Sequence, residues 1–135
     1  MPVRCLIVDD NPGFLRAASA LLERQGITVI GTASTGAQAC RTCRQLQPDV
    51  VLLDIDLGPE TGFHVARELA RQATAPPPRI ILISAHTADE FDDMIAATPA
   101  LSFLPKVALS ATAILDIIAS ADRAAAAGGP QRDSR

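Results

Sequence analysis

The sequence predicts an α/β domain: a doubly wound, five-stranded parallel sheet with helices on both faces. Three observations carry this. Short continuous apolar runs, such as Cys5-Leu6-Ile7-Val8 and Val50-Val51-Leu52-Leu53, read as strands buried on both faces, as parallel strands are. Strand and helix signals alternate five times along the chain, the pattern of βα units joined by right-handed crossovers. The two runs named end in acids, Asp9-Asp10 after the first and Asp54 after the second. Those acids fall at the carboxyl edge, where open α/β sheets place their ligand sites. The alternation leaves the order of strands within the sheet open.

The elements follow in order. The first strand covers about Arg4 to Val8; Asn11 as N-cap and Pro12 as first helical residue open a helix to about Gln25. In that helix Phe14, Leu15, Ala18, Leu21 and Leu22 recur at helical spacing, and Gly26 stops it. Ile27 to Ala33 is the second strand, and Thr35 with Gln38 forms a capping-box pattern for a second helix, Gly36 to Leu46. The third strand is Asp49 to Asp54, Leu57 to Gly62 is a turn-rich loop, and a third helix runs to about Arg71. After a proline-rich connector, Thr74 to Pro78, Ile80 to Ile83 form the fourth strand, which ends in Ser84. Thr87 and Glu90 make a second capping box for a short acidic helix ending before Pro99. The fifth strand is Leu101 to Leu104, and Ser110 caps the last helix, with Leu109 and Ile114 at hydrophobic-staple spacing. That helix is expected to fade through Ala124 to Ala127 and to stop at Gly128-Gly129-Pro130, leaving a disordered polar tail.

Composition narrows the function. A 135-residue chain with 48% hydrophobic and 20% charged residues is one globular domain with a real core. A net charge of −3 argues against nucleic-acid binding through a basic surface. No apolar stretch is long enough to span a membrane, and the chain opens directly into a strand without a signal peptide, so a cytoplasmic protein is expected. Cys40 and Cys43 form a C-x-x-C well inside the second helix, whereas reactive pairs of that kind sit at a helix N-terminus that lowers the thiol pKa. A redox or metal role is therefore disfavoured, and Cys5 reads as core.

The charges are more informative. Asp9, Asp10 and Asp54 gathered at one sheet edge would repel one another, a costly arrangement unless a cation neutralises it. Oxygen-only ligands imply a hard metal ion and anionic chemistry. Of the 12 basic residues, Lys106 is the only lysine. A compact, mobile ammonium suits a carboxylate or phosphoryl site as a point charge. With Ser84 ending the fourth strand, the edge carries acids, a hydroxyl donor and an ammonium: the parts of a phosphoryl site.

These segments resemble the receiver domains of two-component response regulators. The residues are Leu6-Ile7-Val8-Asp9-Asp10-Asn11, Pro48 to Leu57, Ile81-Leu82-Ile83-Ser84-Ala85 and Phe103-Leu104-Pro105-Lys106. The resemblance spans about Val3 to Ala121, and Asp56 to Phe63 with Phe103 to Lys106 look most like receivers of LuxR-type regulators. It implies a flavodoxin-like strand order 2-1-3-4-5. It also implies Asp54 as phosphoacceptor, and Mg²⁺ at Asp9, Asp10, Asp54 and the backbone carbonyl of Asp56, with Asp10 a more direct ligand than Asp9. Ser84 would donate to a phosphoryl oxygen, Lys106 would pair with the phosphate or Asp54, and Ser84 and Phe103 would occupy the switch positions. Gly62 matches the glycine that lets the third helix begin, and Asp56 and His86 flank the expected path of the hydrolytic water.

The chain departs from the family pattern in places. Many receivers carry a proline directly after the lysine, often in a cis bond; here Val107 follows and Pro105 precedes. The proline after the acceptor strand is displaced by one, to Pro59, and Phe103 lacks the hydroxyl of a tyrosine switch.

The expected protein is a single-domain response regulator phosphorylated by a histidine kinase, with residues 1–123 as receiver and 124–135 as flexible tail or linker remnant. Its output surface would be the fourth helix, fifth strand and fifth helix. It would bind neither nucleic acid nor membrane directly, and a homodimer is left open. It would not be an enzyme beyond its own phosphoryl transfer and slow autodephosphorylation. The alternatives are a receiver cut from a longer DNA-binding regulator, an unphosphorylated receiver-like adaptor, and a small phosphatase using Asp54 as nucleophile.

Overall fold

Apolar side chains at every position of a run, facing alternately up and down, need cover on both sides, and the fold supplies it. The computed structural model describes residues 3–72, 78–85 and 92–133. Its main sheet is built from β1 (Arg4–Val8), β2 (Thr28–Ala33), β3 (Val50–Asp54), β6 (Arg79–Ser84) and β7 (Ser102–Pro105), all pairing parallel in the order β2-β1-β3-β6-β7. Counting the strands of this sheet alone, that is the expected 2-1-3-4-5 order. Alternation divides the core. Leu6, Val8, Val51, Leu53, Ile80 and Leu82 pack on α2 (Gly36–Leu46), α3 (Gly62–Gln72) and α4 (Asp92–Ala96). Cys5, Ile7, Val50, Leu52, Ile81 and Ile83 pack on α1 (Pro12–Arg24) and α5 (Ala111–Asp133). The central β3 is buried along its whole length, while the edge strands β2 and β7 are only partly covered. Pro105, which has no N–H to give a ladder, sits on edge strand β7, where it is tolerated.

Local signals set the helix ends. The Asn11 side chain accepts from Phe14 N at 3.1 Å, with Pro12 opening α1, and Gly26 after its end takes φ +95°. Ser110 Oγ accepts from Ala113 N at 3.0 Å, and Leu109 and Ile114 meet in one cluster, as the staple requires. Thr35 Oγ1 accepts from Gln38 N at 3.1 Å, but Gln38 does not return to Thr35. Its Oε1 accepts instead from Ser34 N at 2.9 Å and Ser34 Oγ at 3.1 Å, so the box closes one residue early. The end of α2 leaves carbonyls without helical partners, and the Arg4 guanidinium donates to those of Leu46 and Gln47 at 2.6 and 2.7 Å.

Two expectations are corrected. The loop after Asp54 is a minimal antiparallel hairpin, β4 (Asp56–Leu57) with β5 (Glu60–Thr61), turned at Gly58 with φ +78°. The last helix does not stop at Gly128 but runs to Asp133. Ala124–Ala127 have the highest helix propensity, and extending a helix costs far less than starting one. The Thr87–Glu90 capping box, His86 and most of the Thr74–Pro78 connector lie outside the described residues. Among the described residues no helix is long and apolar enough to cross a membrane.

The turn from β3 into α3 depends on one close approach. Gly62 N donates to Ile55 O at 2.6 Å, and a Cβ at Gly62 would lie 2.3 Å from the Asp54 carbonyl oxygen and 2.8 Å from Ile55 Cα. Both neighbours are backbone and cannot turn aside. Gly62→Ala should therefore cost about 1–3 kcal/mol of stability in urea unfolding; a cost below about 0.5 kcal/mol would show that the segment yields.

Candidate functional site

Sheet register assembles the site. Val8 pairs with Leu53, so the next residues on these neighbouring strands, Asp9 and Asp54, emerge side by side. Asp54 lies opposite Ile83, one residue before Ser84, and Ser84 lies opposite Pro105, one residue before Lys106. Four side chains far apart in sequence thus reach one edge without any special loop.

The acids are close and largely dry. Asp9 is 0% exposed and Asp54 4%, while Asp10 faces solvent. Each offers one carboxylate oxygen, and these lie within 4.8 Å of one another. Lys106 Nζ stands 2.6 Å from Asp9 Oδ2 and 3.6 Å from Asp54 Oδ2. The other oxygens are held by backbone: Asp9 Oδ1 accepts from Asn11 N at 2.9 Å, and Asp54 Oδ1 from Asp56 N at 3.3 Å. The buried Asp9 Oδ2 is partnered by the Lys106 ammonium, and a carboxylate oxygen with two lone pairs keeps acceptor capacity beyond that one contact. A hard divalent cation fits this set: clustered carboxylate oxygens, one buried with acceptor capacity to spare, one open to water for entry.

The electrostatics match. Burial raises the Asp54 carboxyl, the Asp9 charge raises it further, and Lys106 and the Asp56 N–H pull it back; it is pushed up from 3.8 to about 6. Burial opposes the charge on Lys106, but Asp9 and Asp54 outweigh it and the net shift is upward.

The remaining expected residues are placed as follows. Ser84 is buried at the end of β6, at the same edge. The Asp56 side chain is exposed on the hairpin and is not part of the three-carboxylate cluster. Phe103 is partly buried and packs, as Ile95 and Ala100 do, against the α2–α3–α4 core. Lys106 opens a short 3-10 turn, Lys106–Ala108, closed by Leu109 N on Lys106 O at 3.2 Å, where many receivers have the lysine–proline bond. Burial pushes the Cys43 thiol up to about 11 and raises that of Cys40, so neither is activated. One neighbour went unread in the sequence: the Phe14 ring, whose centroid lies 4.4 Å from Lys106 Nζ. Its helical spacing marks Phe14 only as apolar and gives no sign of a contact with the far end of the chain.

Residues 5–119 match the family model of the response regulator receiver domain. The protein-glutamate methylesterase/protein-glutamine glutaminase of Symbiobacterium thermophilum is 34% identical over 96% of this chain and 37% of its own length. The transcriptional regulatory protein LiaR of Bacillus subtilis is 32% identical over 98% of this chain and 60% of its own length. The chain thus spans less than two thirds of these relatives. Among solved structures, the signal receiver domain of NarL from Mycobacterium tuberculosis superposes with a TM-score of 0.75 at 30% identity, covering 85% of this chain and 94% of that one. A LuxR-family two-component response regulator from Aurantimonas sp. SI85-9A1 superposes with a TM-score of 0.71 at 26% identity, over 78% and 75%.

The raised Asp54 carboxyl has a measurable consequence. With a folded value near 6 against an ordinary 3.8, the folded protein keeps a proton there that the unfolded chain has released. In metal-free solution this makes stability fall as pH rises from about 4 to about 6. Asp54→Asn, which removes the charge, should gain on the order of 1–3 kcal/mol at pH 7, with the gain shrinking toward pH 4. Urea unfolding with a chelator at both pH values checks this; a variant less stable than wild type at pH 7 would contradict it.

Proposed function

The chain belongs to the response regulator receiver domain family, and from that premise we propose that it accepts a phosphoryl group from a histidine kinase on Asp54. The observation that carries the reading is the placement of a buried, deprotonatable carboxylate beside two further acids and the chain's only lysine. Asp9, Asp10, Asp54 and the backbone carbonyl of Asp56 would hold Mg²⁺, which when bound neutralises charge on the carboxylates and on an incoming phosphoryl group. A carboxylate is a weak nucleophile, so its work is done by position and charge. An Asp54 carboxylate oxygen forms a bond to phosphorus as the bond from phosphorus to the donor's leaving atom breaks. Lys106, 3.6 Å from Asp54 Oδ2, keeps that carboxylate ionised and pairs with the developing phosphoryl charge. Ser84, one register step away at the end of β6, donates its hydroxyl to a phosphoryl oxygen.

The same residues offer a readout. A Ser84 drawn toward the phosphoryl group shifts the end of β6, which pairs with β7 at Pro105. Phe103 of β7 and Ile95 of α4 pack against the same core, so a change there is felt on the face made by α4, β7 and α5. We take 1–123 as the receiver unit; the Arg79–Asp122 ion pair ties α5 to β6 close to that boundary. Residues 124–135 then extend from it. A single-domain regulator is the first reading. The length of the curated relatives favours a second, in which this receiver works as part of a longer regulator; the chemistry at Asp54 is common to both.

Acetyl phosphate with Mg²⁺ should add one phosphoryl group, seen by intact mass, and Asp54→Asn should take none. An Asn variant labelled at the wild-type level would overturn the assignment. A wild type that takes no label would favour a shape-only adaptor, and turnover of a generic phosphomonoester would favour a phosphatase.

A further inference from the structure

We propose that Phe14 is a positioning residue for Lys106: the face of its ring keeps the ammonium at the site once the partner it now pairs with, Asp9, is taken by a cation. The inference deepens the phosphoacceptor reading and rests on it.

The geometry closes a circuit. Lys106 Nζ pairs with Asp9 Oδ2 at 2.6 Å. Asp9 Oδ1 accepts from Asn11 N at 2.9 Å, and Asn11 Oδ1 accepts from Phe14 N at 3.1 Å. The Phe14 ring then meets Lys106, its centroid 4.4 Å from Nζ, within range of a cation–π attraction. The segment from Asp9 to Phe14 therefore sets the metal-site acid and the seat of the lysine together. Phe14 is itself fixed, by the N-cap bond at its N–H and by packing with the α1–α5 side of the core.

The lysine needs such a seat. Its stem is a flexible four-carbon chain. The turn that carries it has no side-chain cap, and the next residue, Val107, is 98% exposed. Its tightest partner is Asp9, at 2.6 Å, against 3.6 Å to Asp54. A divalent cation at the acid cluster competes for Asp9, which loosens that pair. Without another hold the ammonium would gain more hydration by swinging outward. The ring quadrupole attracts the ammonium without carrying a charge of its own, so it neither repels the cation nor competes for the carboxylates. It leaves Lys106 free to shift the short distance toward Asp54 and a phosphoryl oxygen. A leucine would fill much the same space and supply none of this.

Because Lys106 is the only lysine, protein labelled with carbon-13 at the lysine Cε gives one side-chain signal. In the wild type its attached protons should be shifted upfield by the ring current, with and without Mg²⁺. The shift should survive in Phe14→Tyr and vanish in Phe14→Leu. The rate of labelling by acetyl phosphate at saturating Mg²⁺ should fall about three- to thirtyfold in Phe14→Leu, the range that cation–π energies imply, and return toward wild type in Phe14→Tyr. Circular dichroism confirms that each variant is folded under the assay conditions. A wild-type lysine signal at its free position, or Phe14→Leu labelled as fast as wild type, would overturn the proposal. A wild type that takes no phosphoryl group at all overturns the Asp54 reading instead, and the ring-current comparison then decides the Phe14–Lys106 contact by itself.

Discussion

Three carboxylates crowded at the end of a parallel sheet, with one ammonium to offset them, set the terms for the rest of the site. Asp9 and Asp54 are buried, and taking two like charges out of water is unfavourable twice over: each loses hydration, and each repels the other. Lys106 offsets part of this through a short contact to Asp9 and a longer one to Asp54. Burial first, and then the unbalanced charge of Asp9, raise the Asp54 carboxyl. A cluster left in that condition favours whatever supplies positive charge, and the surplus acceptor capacity at Asp9 Oδ2 lies where a cation would use it.

The scaffold holds the cluster in place by backbone means. Parallel register delivers Asp9, Asp54, Ser84 and Lys106 to the same edge. Beyond Asp54 the chain turns back at once, and Gly62 passes so close to the Asp54 carbonyl that no larger residue fits. The hairpin between them is tied to α2: Glu60 Oε2 accepts from Gly36 N at 2.8 Å, placing a carboxylate at that helix's N-terminus. The acceptor loop is thereby braced against a rigid element while Asp56 at its start and the turn at Gly58 stay open to solvent.

How much of this was legible in the sequence follows from where each signal resides. The central strands could be read because both their faces are covered, which leaves continuous apolar runs such as Val50–Leu53. Asp9, Asp54, Ser84 and Lys106 could be read as a set because strand ends and chemical type are both written locally, and parallel pairing does the rest. The hairpin could not, because two-residue strands have no periodicity to detect. The turn of Gln38 toward Ser34 in place of Thr35 was hidden because either donor satisfies the same side chain. The persistence of α5 past Gly128 was missed because glycine was weighed as a stop without the alanine run that precedes it. Phe14 against Lys106 is a contact between the first helix and the end of the last strand, and only the folded geometry contains it.

The most direct test of the charge account is the Mg²⁺ dependence of stability. In urea unfolding at pH 7, the wild-type midpoint should rise with Mg²⁺ and keep rising with the logarithm of its concentration above the dissociation constant, because the ion binds the folded cluster and not the unfolded chain. Asp10→Asn should start more stable than wild type without metal, having lost one repelling charge, and should respond less to added Mg²⁺. A wild-type midpoint that does not move in millimolar Mg²⁺, or an Asp10→Asn variant that responds as strongly as wild type, would contradict the claim that these acids form a cation-dependent phosphoacceptor site.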